Sequence, residues 1–467
     1  MMIVLPLTLR HVHYFAMTRV FKIFSLFLFV GIGWSIAEVV SEAPLGNGDV
    51  SSNEEPLYMT VPDVIDRVKS QNLELLIQKE SVRRALEQSY QQRAALLPQF
   101  GLSARQTRSK FSTDFFSGAL PSSVIFNSFG ARVEGSISLI DSQRFADWKL
   151  AKLSYAIQQF DYEVALQDVL DQAILIYFTH LRDLRQVEIF EGNRAREEEL
   201  LKLAKQQFEA GATVKIDVTR ADVRLATVKR DLMEAITNAD NSILQLKALL
   251  DLDLDLDLLL DRSLVDGIKS PPALKRYGEM VDLTEMRPEF QSQLKLLDQA
   301  ILAKKAAGWQ RLPNISLFGE WGYDSNKIFD GNEGEAWVVG IEASMPIWEG
   351  NRIEAEKREA SQAVRQNQYA MRQLQIRIER EFKFAMLDME SRYTQIEFAR
   401  DELRLGMEEV EQARERYKEG LADNTELIDA QQRLADAERS HLRAIYLYGL
   451  SRLAFARSVG SVERVLE

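Results

Sequence analysis

Two hydrophobic periods alternate along the chain, and each occurs twice. The first has period two. Phe100, Leu102 and Ala104 face away from Gly101, Ser103 and Arg105, and Ala131, Val133, Gly135, Ile137 and Leu139 face away from Arg132, Glu134, Ser136 and Ser138. The same pattern returns in Ile315, Leu317, Gly319, Trp321 and Tyr323 against Asn314, Ser316, Phe318, Glu320 and Gly322. Its partner run sets Trp337, Val339, Ile341, Ala343 and Met345 against Val338, Gly340, Glu342 and Ser344. Alternation of this kind predicts strands with one apolar face. The second period is the four-three spacing of a coiled-coil seam. It runs through Leu170, Ile174, Tyr177, Leu181 and Leu184, and through Ile396, Ala399, Leu403, Gly406, Val410, Ala413 and Tyr417. No proline lies between 122 and 270 or after 346. Proline costs about 3 kcal/mol inside a helix, so its absence permits very long helices. Residues Ser142 to Ala210 predict a single helix about 100 Å long at 1.5 Å per residue.

The two periods are stitched together in the same order each time. Leu97-Pro98 precedes the first strand pair and Leu312-Pro313 the second; Arg144 and Arg352 follow them. Phe208-Glu209-Ala210-Gly211 and Tyr417-Lys418-Glu419-Gly420 close the long helices, about 210 residues apart. An internal repeat of this length fixes the architecture. Each copy predicts a helix, two strands and a long helical hairpin. Gly211 and Gly420 suit the left-handed position that ends a helix, and Thr213 and Asn424 suit N-caps of the returning helices. The repeats are placed at 61–262 and 283–460, with a connector at 263–282 and a tail at 461–467. Loops rich in Gly, Ser, Asn and Asp are expected over Phe111–Asn127 and Ser325–Glu335.

The chain has 467 residues, no Cys, 4 His and a formal net charge of −12. Arg19 and Lys22 precede the apolar run Ile23–Val30, and Ser35-Ile36-Ala37 offers a small-x-small cleavage site. Residues 1–37 therefore read as a secretory signal, with Met17 as a better start than Met1, and 38–60 as a linker. Removing 1–37, which holds three basic residues and no acid, leaves about −15. After Ala37 no run approaches the ~20 apolar residues of a membrane helix. A membrane crossing would then use the strands, whose alternation is the outer-membrane pattern. Four strands cannot close a barrel, because the smallest membrane barrels have about eight. Spanning therefore requires several chains to share one barrel.

At these residues the chain resembles the TolC family of outer-membrane channel proteins, from about Val61 to Gly460. Leu97-Pro98, Leu312-Pro313, the run from Pro346 to Arg352, and the tip from Tyr417 and Gly420 through Asp429-Ala430 carry the likeness. The first copy departs from it, with Ser138 and Ser142 where the second has Pro346 and Gly350. The resemblance implies a mixed α and β membrane protein. Its four transmembrane strands would complete a trimeric twelve-stranded barrel above a long helical coiled-coil barrel in the periplasm. It implies a homotrimer that docks on a periplasmic adaptor (membrane fusion) protein and an inner-membrane pump of the RND, ABC or MFS type, as the exit duct for efflux or type I secretion. By motif position, Glu426, Asp429 and Tyr417 would form the periplasmic gate, and Gly211, Asp217 and Gly420 the docking tips. The basic residue the family often carries just after the tip glycine is replaced by Ala422.

Other readings find less support. Asp251 to Asp257 alternates Asp with Leu but lacks the glycine turn and bidentate Glu of a calcium loop, so it reads as an acidic connector. His180 and His441 sit mid-helix without ligand spacing. No nucleophile motif or phosphate loop appears, so neither enzyme activity, metal nor cofactor is expected. An acidic chain is a poor nucleic-acid partner. The main rival is a periplasmic coiled-coil protein of purely structural role.

Overall fold

The computed structural model describes residues 56–112, 123–211, 213–262, 284–328, 334–419, 421 and 424–463. The signal segment with Met17, nearly all of the 38–60 linker, the 263–282 connector, Gly420 and Ala422 lie outside the described residues. The elements are β1 (Leu57–Met59), α1 (Val61–Gln71), α2 (Leu73–Ala94), β2 (Gln99–Ser112), β3 (Ser123–Ile140), α3 (Ser142–Glu209), α4 (Lys215–Leu249), β4 (Leu258–Leu260), α5 (Pro288–Trp309), β5 (Asn314–Ser325), β6 (Gly334–Ser344), α6 (Arg352–Lys418) and α7 (Asn424–Ser458). Helix, strand, strand, long helix and shorter helix thus follow one another in each half. Among the described residues no helix is long and apolar enough to cross a membrane.

The four predicted strands form one antiparallel sheet in the order β2-β3-β5-β6. Register puts the apolar positions on one face. Leu102 lies opposite Val133, Val133 opposite Trp321, and Trp321 opposite Trp337; Ile137, Leu317 and Ile341 make a second row. This face is uncovered, with Phe100 81% and Trp337 70% exposed. The other face is polar: Arg132 reaches Asp324 at 3.0 Å and Glu320 at 3.5 Å, and Ser103 donates to Glu134. Two sequence expectations need correction. Met345 lies beyond β6, and β2 and β3 run on to Ser112 and back to Ser123, through part of the expected loop. Their Arg, Thr, Asn and Ser residues hide the pairing because an extended hairpin needs no apolar face.

Strand and helix join differently in the two halves. Before α3, Asp141 caps the helix by accepting from the Gln143 and Arg144 amides, after a bulge at Ser138/Ile140. Before α6, Gly350 and Asn351 both adopt left-handed backbone, at φ 60° and 66°. The repeated arginine does the same work in each. Arg144 donates to the Ala95 carbonyl at the end of α2, and Arg352 donates to Gln310 at the end of α5.

Lengths explain the helical body. The 68 residues of α3 and 67 of α6 pair over only part of their length with the 35-residue α4 and α7. The remainder is covered by α2 and α5, 22 residues each, which pack on the long helices. α4 and α2 meet end to end. Asn72 caps α2 through its Oδ1 and donates from Nδ2 to the Leu249 carbonyl, while Arg67 donates to the Leu250 carbonyl. Asp251, at φ 51°, takes the left-handed position after α4, and the Leu252 amide donates to the Lys247 carbonyl, closing a Schellman end. A short parallel pairing of β1 with β4, absent from the sequence reading, buttresses this junction; three-residue strands carry too little pattern to be seen. The largest core lies here, built from Val61, Val64, Leu75, Leu170, Ile174, Tyr177, Leu246 and Leu260 among others. Seam residues Leu170, Ile174, Tyr177 and Leu181 are buried, whereas Leu184 is only half-buried.

α7 and α5 meet through ions. Arg287 bonds Glu289 at 3.0 Å and Glu381 at 2.9 Å, and Arg457 bonds Asp168 at 2.5 Å and Glu289 at 3.0 Å. Burial raises the Asp171 carboxyl above its ordinary value, and the Arg457 charge offsets this only in part.

Two expectations follow. A Cβ built on Gly322 would lie 2.1 Å from the Ala131 carbonyl oxygen. Gly322→Ala should cost more than the about 1–3 kcal/mol of ordinary overpacking, because rigid backbone must move; loss of folded protein in a denaturant melt, without recovery at low temperature, checks this. A raised folded-state pKa means that charged Asp171 is disfavoured in the fold. Asp171→Asn should raise the thermal midpoint at pH 7, and the gain should fade as pH drops toward the unfolded value of 3.8.

Candidate functional site at the hairpin tips

Each tip is built by a helix that must stop. α3 ends at Glu209 with Ala210 as its C-cap, and Gly211 takes φ 72°, the left-handed position predicted for it. The N-cap of α4 is Val214, not Thr213, and it makes no side-chain cap bond. Thr213 instead donates from its hydroxyl to Asp217 Oδ2 at 2.5 Å, and Arg220 approaches the other oxygen at 3.4 Å. The hydroxyl therefore holds a carboxylate in the first turn rather than an amide. α6 ends in a Schellman bond from the Leu421 amide to the Arg416 carbonyl at 2.8 Å. Asn424 is itself the first residue of α7 rather than a cap before it.

The tips share one core. Leu200, Leu201 and Ala204 of α3, Ala221 and Leu225 of α4, Ala413 and Tyr417 of α6, and Leu427 and Ala430 of α7 pack together. Small seam residues make this possible. A Cβ on Gly406 would sit 3.5 Å from Leu434 Cα, so α6 and α7 approach closely there. Polar bonds cross between the hairpins: Arg196 meets Glu438 at 2.7 Å, Arg414 meets Glu199, and Arg224 meets Gln432.

The predicted gate residues divide. Glu426 is half-buried and accepts from Arg416 Nε at 2.9 Å; Asp429 is exposed one turn further along the same helix. Arg416 thus supplies a basic neighbour from the last turn of α6, a position the sequence reading passed over in looking after the tip glycine. A cation in a last turn followed by an acid in the next first turn was the available signal. Tyr417 is 4% exposed and belongs to the tip core. Its hydroxyl is buried with no hydrogen-bond partner among the described residues, and burial together with the nearby Asp217 charge raises its pKa. Gly211 and Asp217 stand at the turn, Gly211 exposed and Asp217 half-buried. The histidines are elsewhere: His180 is a core residue, its Nδ1 3.1 Å from the Ala239 carbonyl and 3.0 Å from Ser242 Oγ. His441 lines a cavity of about 290 Å³ with Leu181, Arg185 and Leu403.

The model of the outer membrane efflux protein family matches residues 64–251 and 281–461. The chain belongs to this family. It is 22% identical over 420 residues to the outer membrane protein TolC of Vibrio cholerae, covering 86% of this chain and 90% of that one. Its fold is similar to that of the Campylobacter jejuni CmeC outer membrane channel, with a TM-score of 0.75 at 19% identity over 86% of this chain and 85% of that one. The outer membrane protein VceC of Vibrio cholerae gives 0.73 at 17% identity, over 86% and 96%. The family is one of transport channels rather than enzymes. The protein is an outer-membrane efflux duct whose large helical part lies in the periplasm.

The tip core makes a separable prediction for Tyr417. Tyr417→Phe removes a buried, unpaired hydroxyl and should leave the melting temperature unchanged or raise it. Tyr417→Ala opens a cavity between the hairpins and should cost about 3–5 kcal/mol in a denaturant titration.

Proposed function

We propose that three copies of this chain share one twelve-stranded barrel in the outer membrane and one helical tunnel beneath it. In this reading the duct passes substrates handed over by a periplasmic adaptor and an inner-membrane pump. The observation that carries the reading is the four-stranded sheet with an uncovered apolar face and two edges, β2 and β6, that have no partner among the described residues. In hydrocarbon each unpaired backbone group costs several kcal/mol, so those edges must meet other chains. The likeness to TolC and CmeC supports three as the number, and the two halves of the chain then act as copies of one hairpin unit.

The helices support the same assembly. Tyr369, Ile376, Phe384, Leu387, Phe398 and Leu405 are exposed on α6. At 3.6 residues per turn they fall on one face, which is the seam pattern for a neighbouring helix. At the tips, Glu426 and Asp429 from three chains would bring six carboxylates to one mouth, favouring cations and restraining passage. Arg416 bonds Glu426 and Arg433 faces Asp429, and Asp429 is the more exposed of the two acids. Gly211, Asp217 and Gly420 would present the turns to the adaptor.

Two measurements test this. Phe384→Glu with Phe398→Glu should convert an oligomer that resists detergent gels without heating into monomer; an unaltered oligomer rejects the α6 seam. In planar bilayers, Glu426→Ala with Asp429→Ala should weaken divalent-cation block and raise conductance. Unchanged conductance and block would remove both residues from the gate.

A further inference from the structure

The outward face of the sheet does not end where its apolar band ends. Rows of Leu, Ile, Val and aromatic residues climb from Ile315 to Tyr323, with Trp321 and Trp337 paired near the top. The helices leave from the other end of the strands, so this upper rim faces outside. Beyond it, β2 and β3 continue as a two-stranded hairpin that overreaches β5 and β6, because Phe129 is already level with Ser325. On this extension the outward positions of β2 are Arg108 and Lys110, both exposed, opposite Asn127 and Ile125. No Asp or Glu occurs on β2 or on the Ser123–Gly130 half of β3. Glu320 and Asp324 are on the other face with Arg132; Glu335, on the outward face of β6 in the Tyr323 row, accepts from Trp321 Nε1 at 2.9 Å, well below Arg108.

Height selects the partner. Arg108 is two residues past Gln106, which shares the row of the outward Phe129, and Lys110 is four past it. These are about 7 and 14 Å along the strand, or about 5 and 10 Å above the last aromatic row at a tilt near 40°. Long cationic side chains at this height fold their stems back along apolar surface and hold their charge at the headgroup layer. Ile125, opposite Lys110, supplies such surface.

We propose that Arg108 and Lys110 form a site for the phosphates of outer-leaflet glycolipid headgroups, anchoring the barrel rim to its lipid. The inference rests on the sheet spanning the outer membrane, and flotation of wild-type membranes tests that premise by itself. Each basic group at an anionic lipid surface is worth about fivefold in affinity. Lipid A binding is titrated by native mass spectrometry on the full-length oligomer in micelles. Arg108→Ser with Lys110→Ser should weaken diphosphorylated lipid A by about 30-fold and leave the already weak binding of dephosphorylated lipid A unchanged. Arg105→Ser removes one charge from the opposite face of the same strand and should behave as wild type. Equal binding by the double variant, equal binding of dephosphorylated lipid A to wild type, or competition by inorganic phosphate at matched concentration overturns the proposal. So does dissociation of the double-variant oligomer in lipid-free micelles, which would assign the pair to contacts between chains.

Discussion

Backbone hydrogen bonding in hydrocarbon is the constraint on which the rest of this structure depends. A strand in water can leave an edge to solvent, but a strand in lipid cannot. Among the described residues this chain builds a sheet of four strands, pairs three interfaces within it, and leaves β2 and β6 open. Such a sheet is incomplete as a membrane object. Its apolar face adds to this, since side chains such as Phe100 and Trp337 have no covering element among the described residues.

The helices face a different problem, which is reach. A continuous helix of nearly 70 residues needs a partner along its whole length, and a hairpin supplies only half. The chain fills the gap by setting a second helix end to end with the returning one. At each join the orphan carbonyls and amides of two termini come together, and each is handled locally. Asn72 serves one terminus with its oxygen and the other with its amide nitrogen. The second join uses Arg287, Arg457 and three carboxylates instead. An ionic join holds only while its acids stay charged, so the two stacks differ in their response to pH.

Much of this was legible in the residues. Period two marked the strands and their faces, and the four-three spacing marked the seams, because both patterns record which side chains must leave water. Leu170, Ile174, Tyr177, Leu181, Ile396, Ala399 and Ala413 are buried as the spacing implied. Features set by long-range contact were not legible. The β1–β4 pairing joins residues about 200 apart and leaves no periodic trace. Thr213 looks like a cap because capping and carboxylate binding use the same hydroxyl. Arg416 was missed because its partner is across a turn, ten residues away. The polar extension of β2 and β3 reads as loop in the sequence, since pairing without an apolar face has no signature.

The difference between the two tips follows from their charges. In the first, Asp217 is held by Thr213 and faced by Arg220 three residues on, so its charge is spent within the turn. In the second, Glu426 shares Arg416, and the residue three further on is Asp429, whose charge faces Arg433. The two tips are locked together by Leu200, Ala221, Tyr417 and Leu427, so neither moves without disturbing the other. That core closes the boundary between the two hairpins. The bonds Arg196–Glu438, Arg414–Glu199 and Arg224–Gln432 all cross that boundary. Of these only Arg414–Glu199 is well exposed, and such a pair is worth little singly, so the shared apolar core does most to hold the two hairpins together.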